Sequence, residues 1–134
     1  MKILIKKEFI VCVVIIVAII VGDIFLQKYT KESLNLINEK LSYIKEDLKK
    51  GDDLKKEEIN KKVGEINKEW DKRFNILTCF LEHNELEKVK TQLVSITAGL
   101  EIDDKEYVYE ELNKTIYILE HIRDKESFRI DNIF

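Results

Sequence analysis

Two similar tripeptides, Leu-Glu-His at 81–83 and again at 119–121, contain the residues best suited to chemistry. Imidazole and carboxylate groups together can bind zinc or another divalent metal, so His83 and His121, with Glu82 and Glu120, are weak candidates for a metal site. Their spacing matches neither HExxH nor the ExxH pattern of di-metal bundles. A histidine in a last helical turn also interacts favourably with the helix dipole, and a histidine pair can respond to pH. A structural role, a metal site and a pH-responsive pair all stay open.

The rest of the chain offers no arrangement typical of an active site. The serines lack an accompanying base and acid at a telling spacing, and there is no phosphate-binding glycine loop. The acidic pairs Glu57-Glu58, Asp103-Asp104 and Glu110-Glu111 are adjacent in sequence, so their side chains point apart. We therefore expect a protein that is not an enzyme and that binds no cofactor.

The N-terminus contains a membrane-anchor signal. Thirteen consecutive residues, 9–21, have no polar side chain. Extending this segment to residue 26 gives a helix of about 27 Å, which is just enough to cross a bilayer. No small-residue pair typical of a cleavage site follows the apolar run. Residues 1–26 are thus predicted to be an uncleaved signal anchor, with a cleaved signal peptide or a buried helix of a soluble protein as alternatives.

Lysines flank the apolar segment on both sides. Lys2, Lys6 and Lys7 precede it, whereas Lys28 and Lys31 follow it. Because positive charge favours the cytoplasmic side, this distribution favours a single-pass protein of the cell membrane with a cytoplasmic N-terminus. Residues 27–134 are then an extracytoplasmic domain.

The composition of residues 27–134 limits its partners. Of 23 Lys+Arg in the chain three precede residue 27, and of 26 Asp+Glu two do, which leaves 20 against 24 and a net charge of −4. Acids and lysines are interspersed, unlike the one-signed basic face that nucleic-acid binding requires. Cys12 lies in the apolar segment, so Cys79 is expected to be a small buried residue, with pairing to another molecule as the alternative.

Apolar residues recur at spacings of three and four in four stretches, and the chain contains no proline. The four apolar seams are Leu34, Ile37, Leu41, Ile44 and Leu48; Ile59, Val63, Ile66, Trp70, Phe74, Leu77 and Leu81; Leu86, Val89, Leu93, Ile96 and Leu100; and Val108, Leu112, Thr115, Leu119 and Ile122. Gly51 marks a turn, and the pairs Asn84/Glu87 and Asp103/Glu106 resemble helix caps. The pattern predicts an all-α protein, in which an N-terminal transmembrane helix is followed by an antiparallel bundle of about four helices. The first hairpin is expected to be coiled-coil-like, with a projecting distal part.

Helices that alternate in direction have a geometric consequence. If the first helix leaves the membrane, the second returns to it, the third leaves and the fourth returns. The turn at His83-Asn84, the end of the fourth helix and the tail 127–134 should then share the membrane-proximal end. The tail contains Phe128, Ile130, Ile133 and Phe134, and either folds back on the bundle or contacts lipid or a partner protein.

These residues resemble a known family. Trp70, Leu77 and Phe80, the segment Glu82-His83-x-Glu85-Leu86, the segment Leu119-Glu120-His121-Ile122-x-Asp124-Lys125-Glu126, and Asn132-Ile133 are similar to the domain of unknown function 4363 of small single-span bacterial proteins, typical of spore-forming Gram-positive bacteria. The resemblance implies no activity. It implies a bacterial envelope location and association with another small membrane protein encoded nearby.

We therefore expect a membrane-anchored, non-enzymatic accessory or scaffold protein that contacts the lipid bilayer and binds a membrane protein through its proximal end. The candidate interface residues are Glu82, His83, Glu85, His121, Glu126, Phe128, Asn132, Ile133 and Phe134. The alternatives are a metal- or pH-responsive module using His83 and His121, and a homodimer formed through the heptad seams.

Overall fold

The computed structural model describes residues 2–51 and 56–133, and it describes side chains over residues 6–51 and 56–128. The described chain is all-α, as predicted. It forms α1 (Lys2–Lys49), α2 (Lys56–Leu77), α3 (His83–Glu101) and α4 (Lys105–Ile133).

Helix α1 joins the apolar segment to the bundle without a break. Its 48 residues pass straight through the predicted boundary between residues 26 and 27, as expected for a stretch without proline or a turn sequence. Side chains of the apolar segment face outward, with Phe9 68% and Phe25 62% exposed. The bundle does not cover them. Among the described residues, only α1 is long and apolar enough to cross a membrane.

The C-terminal half of α1 and the other three helices bury the four predicted seams against one another. Ile37, Ile66, Leu93 and Leu112, one from each helix, are essentially inaccessible to solvent. Leu48, Phe74 and Leu100 are the seam members that are only partly buried. Trp70 is fully buried in this core. The periodicity therefore predicted the core correctly, because a stripe repeating every three or four residues occupies one side of a helix.

Each helix packs against two neighbours in an antiparallel arrangement. α1 packs against α2 and α4, and α3 packs against the same two helices. Two contacts show the direction of the first hairpin: Lys62 Nζ lies 2.9 Å from Asp47 Oδ2, and Arg73 Nη1 lies 2.8 Å from Ser33 Oγ. Later residues of α1 therefore lie beside earlier residues of α2, so the two helices are antiparallel. The helices alternate in direction, as the sequence predicted.

We define the distal end of the bundle as the end where α1 and α3 terminate. An ion pair between Lys56 and Asp103 joins the start of α2 to the connection between α3 and α4. The hairpins α1–α2 and α3–α4 therefore extend equally far at the distal end, and α2 and α3 have similar lengths of 22 and 19 residues. The expectation that the first hairpin projects beyond the second was wrong for the described residues. Asp52 and Asp53, part of the predicted turn, lie outside them.

Helix ends differ from the sequence prediction by a residue or two. α1 ends at Lys49, just before the predicted turn at Gly51, whose φ of +64° is accessible to glycine without strain. α3 begins at His83, so Asn84 lies inside the helix and is not its cap. α4 is capped by Asp104, whose Oδ1 accepts a hydrogen bond from the Tyr107 N–H at 3.0 Å. The predicted cap, Asp103, instead adopts a left-handed conformation with φ of 57°.

Cys79 was predicted to be buried, and the structure contradicts this. Its thiol is free and exposed in the connection between α2 and α3. Helix α2 ends at Leu77, so Cys79 falls in a turn outside the apolar seam, while the seam residue Leu81 is buried in the core. The thiol of Cys12 is exposed as well, within the apolar segment.

Candidate functional site

The candidate residues cluster at the end of the bundle that adjoins the apolar segment, which we call the proximal end. Here the connection between α2 and α3 meets the last turns of α4. Lys125 Nζ lies 2.9 Å from Glu85 Oε1 and 3.4 Å from Glu82 Oε1. The predicted convergence of these two segments is confirmed.

The Lys125 contacts tie α3 to α4. Glu85 is largely covered, with its side chain 13% exposed, whereas Glu82 is 69% exposed. The hydrogen bond to Glu85, with the negative charges of both glutamates, raises the pKa of Lys125. Glu85 therefore serves the bundle's own packing, and only Glu82 of this pair presents its carboxylate to solvent.

The two histidines contact different groups. His83 Nε2 lies 3.4 Å from Glu87 Oε1, and its ring meets Phe74 edge-on with centroids 5.5 Å apart. The His121 ring instead stacks on Tyr117, at a centroid distance of 6.3 Å. Across the described parts of the chain, no three side chains of His, Cys, Asp or Glu are grouped to hold a metal ion. His83 and His121, with Glu82 and Glu120, are thus not gathered into one site.

The remaining candidates divide into buried and exposed groups. Glu126 is 8% exposed and belongs to the interior, whereas Glu120 faces solvent. Phe128 is 70% exposed on α4, which continues as helix to Ile133 and does not turn back onto the bundle. The backbone of Asn132 and Ile133 lies in this helix, and Phe134 lies outside the described residues.

Sequence reasoning missed a polar network around Arg73. The guanidinium donates to Ser33 Oγ at 2.8 Å and to Glu69 Oε1 at 2.7 Å, and it lies 5.4 Å from the centre of the Tyr29 ring. The hydrogen bond and positive charge of Arg73 lower the pKa of Glu69. Glu69 and Arg73 are four residues apart on α2, a spacing that could have indicated the pair. The hydrogen bond from Arg73 to Ser33 of α1 could be identified only from the three-dimensional structure.

A further surface runs along the outer side of α4. Tyr117, His121 and Phe128 are all exposed, with Tyr117 at 69%. Their spacings of four and seven residues place them on one side of the helix. We call these three residues the α4 aromatic face. It begins beside the middle of the bundle and extends to the proximal end, where exposed aromatic side chains are suited to contact a partner.

The bundle corresponds to one family. The family model described as Domain of unknown function (DUF4363) matches residues 24–133, which begin at the end of the apolar segment and include all four bundle helices. No curated protein matches the chain, and no solved structure does. Since the matched residues cover far more than half of the chain, the protein belongs to the DUF4363 family.

Proposed function

We propose that the protein is a membrane-anchored, non-enzymatic accessory or scaffold protein whose proximal end binds a partner membrane protein. The observation that supports this best is the continuity of α1. The exposed apolar segment and the first bundle helix are one uninterrupted helix, so a bilayer around the segment would adjoin the proximal end. The first seam residue, Leu34, would lie about 12 Å of helix rise beyond residue 26.

The α4 aromatic face supports the proposal of a protein partner. Interfaces are enriched in aromatic side chains, and a few of these contribute most of the binding energy. Tyr117 and Phe128 leave about two thirds or more of their area in water. Burying each ring in a partner would yield on the order of 2 kcal/mol. A membrane protein that contacts the outer side of α4 could bury both.

The seam residues support a monomeric bundle as the binding unit. Leu41, Val63 and Ile96 are buried within a single chain, so a homodimer through the heptad seams would have to open or exchange helices. The histidines contact separate residues, which gives the metal- or pH-responsive alternative less support than the accessory role. We place the N-terminus in the cytoplasm and the bundle outside, following the lysine bias.

Affinity capture from native membranes tests the partner, using the full chain. The test variant is Tyr117→Ser with Phe128→Ser. The matched control, Tyr43→Ser with Ile102→Ser, removes two side chains that are 61% and 71% exposed elsewhere.

We expect a discrete membrane protein to be retained by the wild type and by the control and lost by the test variant. Rebinding of that purified protein in detergent would confirm a direct contact. Equal capture by both variants, or capture of no membrane protein, would refute the proposal.

A further inference from the structure

A groove of about 500 Å³ lies between α1 and α4 at the proximal end. Its lining includes the apolar side chains of Ile24, Leu34 and Phe80. Three cations, Lys28, Lys31 and Arg123, line it as well. The groove therefore combines apolar surface with positive charge.

The charge of the groove is opposite to that of the domain. Against its three cations the groove has one carboxylate, Glu126, so its net charge is +2, while residues 27–134 carry −4. Two of the groove cations lie beside exposed acids outside the groove. Lys28 Nζ is 4.0 Å from Glu32 Oε1, and Arg123 Nε is 3.5 Å from Asp124 Oδ1, with both carboxylates well exposed. Such surface pairs contribute little, so these cations can bind another anion.

The groove also lies at a defined depth. Lys28 and Lys31 follow the apolar segment by two and five residues, about 3–8 Å of helix rise beyond it, which corresponds to the headgroup layer of a bilayer around α1. Ile24, 59% exposed, lies on the side of the acyl chains. The Ser127 hydroxyl and the amide of Gln27, which also donates to Asp23 Oδ2 at 3.1 Å, add hydrogen-bonding capacity beside the cations.

We infer that this groove binds the phosphate of an anionic phospholipid, with the acyl chains of that lipid lying along α1 beside Ile24. Lysine and arginine form charge-assisted hydrogen bonds with phosphate oxygens, and basic pockets at this depth recognise anionic headgroups. The inference rests on the proposed function, because it requires α1 to span the bilayer. A bound lipid would fill the gap between α1 and α4 and orient the α4 aromatic face relative to the membrane.

The test uses the full chain reconstituted into vesicles of phosphatidylcholine and phosphatidylglycerol. Alkaline carbonate extraction first measures whether the chain is integral. Native mass spectrometry then measures the ratio of phosphatidylglycerol to phosphatidylcholine that remains bound. The test variant is Lys28→Gln, Lys31→Gln and Arg123→Gln.

A control variant, Lys50→Gln, Lys61→Gln and Lys68→Gln, removes the same charge from exposed positions away from the groove. Circular dichroism checks that both variants fold.

We expect the wild type and the control to retain phosphatidylglycerol preferentially. In the test variant the ratio of bound phosphatidylglycerol to phosphatidylcholine should fall by about tenfold or more. Equal retention of the two lipids by an integral wild type, or equal preference in the two variants, would overturn the lipid site alone. Displacement of the lipid by excess inorganic phosphate would indicate a site for free anions and would also overturn it. A chain extracted by carbonate would overturn the membrane anchor, and the lipid site with it.

Discussion

The two glycines inside the bundle's helices should respond in opposite ways to replacement by alanine. A Cβ built on Gly99 in α3 would lie 2.7 Å from Tyr107 Cδ1 and 2.7 Å from Val108 Cγ2. A Cβ built on Gly64 in α2 meets nothing within 4 Å. Glycine is therefore required at position 99 by the close approach of α3 and α4, whereas at position 64 it only lowers helix stability.

The change in the free energy of unfolding combines a steric cost with a gain in helix propensity. Carbon atoms normally approach to about 3.5–4.0 Å, so the Gly99→Ala methyl overlaps its neighbours by roughly 1 Å. Val108 is fully buried and cannot move without shifting α4. Overpacking of this kind costs about 1–3 kcal/mol, of which the better helix propensity of alanine returns about 0.5–1. We expect Gly99→Ala to destabilise the bundle by about 1 kcal/mol and Gly64→Ala to stabilise it by a similar amount.

Trp70 supplies the assay. It is the chain's sole tryptophan and is fully buried, so its fluorescence in the full chain in micelles reports unfolding of the bundle and not of the apolar segment. A difference of about 2 kcal/mol corresponds to Tm values roughly 10 °C apart for a domain of this size. Equal Tm values for the two variants, or a higher Tm for Gly99→Ala, would refute the close packing of α3 on α4.

Three further predictions concern pH, a turn and topology. Because Arg73 lowers the pKa of Glu69 in the folded state, their pair stabilises fully above the unfolded pKa of about 4.3 and stops stabilising as pH falls through the folded value. Arg73→Gln should thus lower the Tm at pH 7, and the difference in Tm between variant and wild type should become smaller below about pH 4. A difference in Tm that does not change with pH would contradict this pairing. Gly51→Ala should destabilise the bundle by about 1 kcal/mol because of the positive φ at this position, so an unchanged Tm would contradict the left-handed turn that follows α1. In a Cys12→Ser chain, exposed Cys79 should react with a membrane-impermeant maleimide on intact cells, and labelling only after lysis would reverse the proposed orientation.

The core could be read from the sequence because it depends on local periodicity. Leu34 to Ile44 in α1 and Leu86 to Ile96 in α3 repeat at three and four residues, and such a stripe has one favourable location, the interior. The alternation of helix direction followed from the turn at Gly51 and the connection before His83. Together these predicted that Glu82 and Lys125 would lie at one end.

The incorrect predictions concern a helix end and the relative lengths of the two hairpins. Cys79 was assigned to the interior from its residue type, but α2 ends two residues before it, and a helix end depends on capping contacts that the pattern does not contain. The prediction that the first hairpin projects was wrong because projection depends on whether α3 and α4 extend as far as α1 and α2. Asp103 shows that they do, by pairing with Lys56.

The site was predictable only in part. The approach of Lys125 to Glu82 and Glu85 followed from topology. The orientation of each histidine depends instead on its neighbours, Phe74 and Glu87 for His83 and Tyr117 for His121. The groove between α1 and α4 joins Lys31 to Arg123, about ninety positions apart in the chain, so no local pattern could reveal it.

The most direct test of the fold's relation to the membrane is the depth of α4. In a full chain with both cysteines replaced by serine, a nitroxide is attached at Phe128→Cys or at Ile102→Cys, two exposed positions at opposite ends of the bundle. Electron paramagnetic resonance in vesicles compares collisions with oxygen, which concentrates in lipid, and with a water-soluble nickel complex. We expect the label at 128 to favour oxygen and the label at 102 to favour nickel. Equal accessibility at both positions, or a deeper label at 102, would contradict the return of α4 to the bilayer.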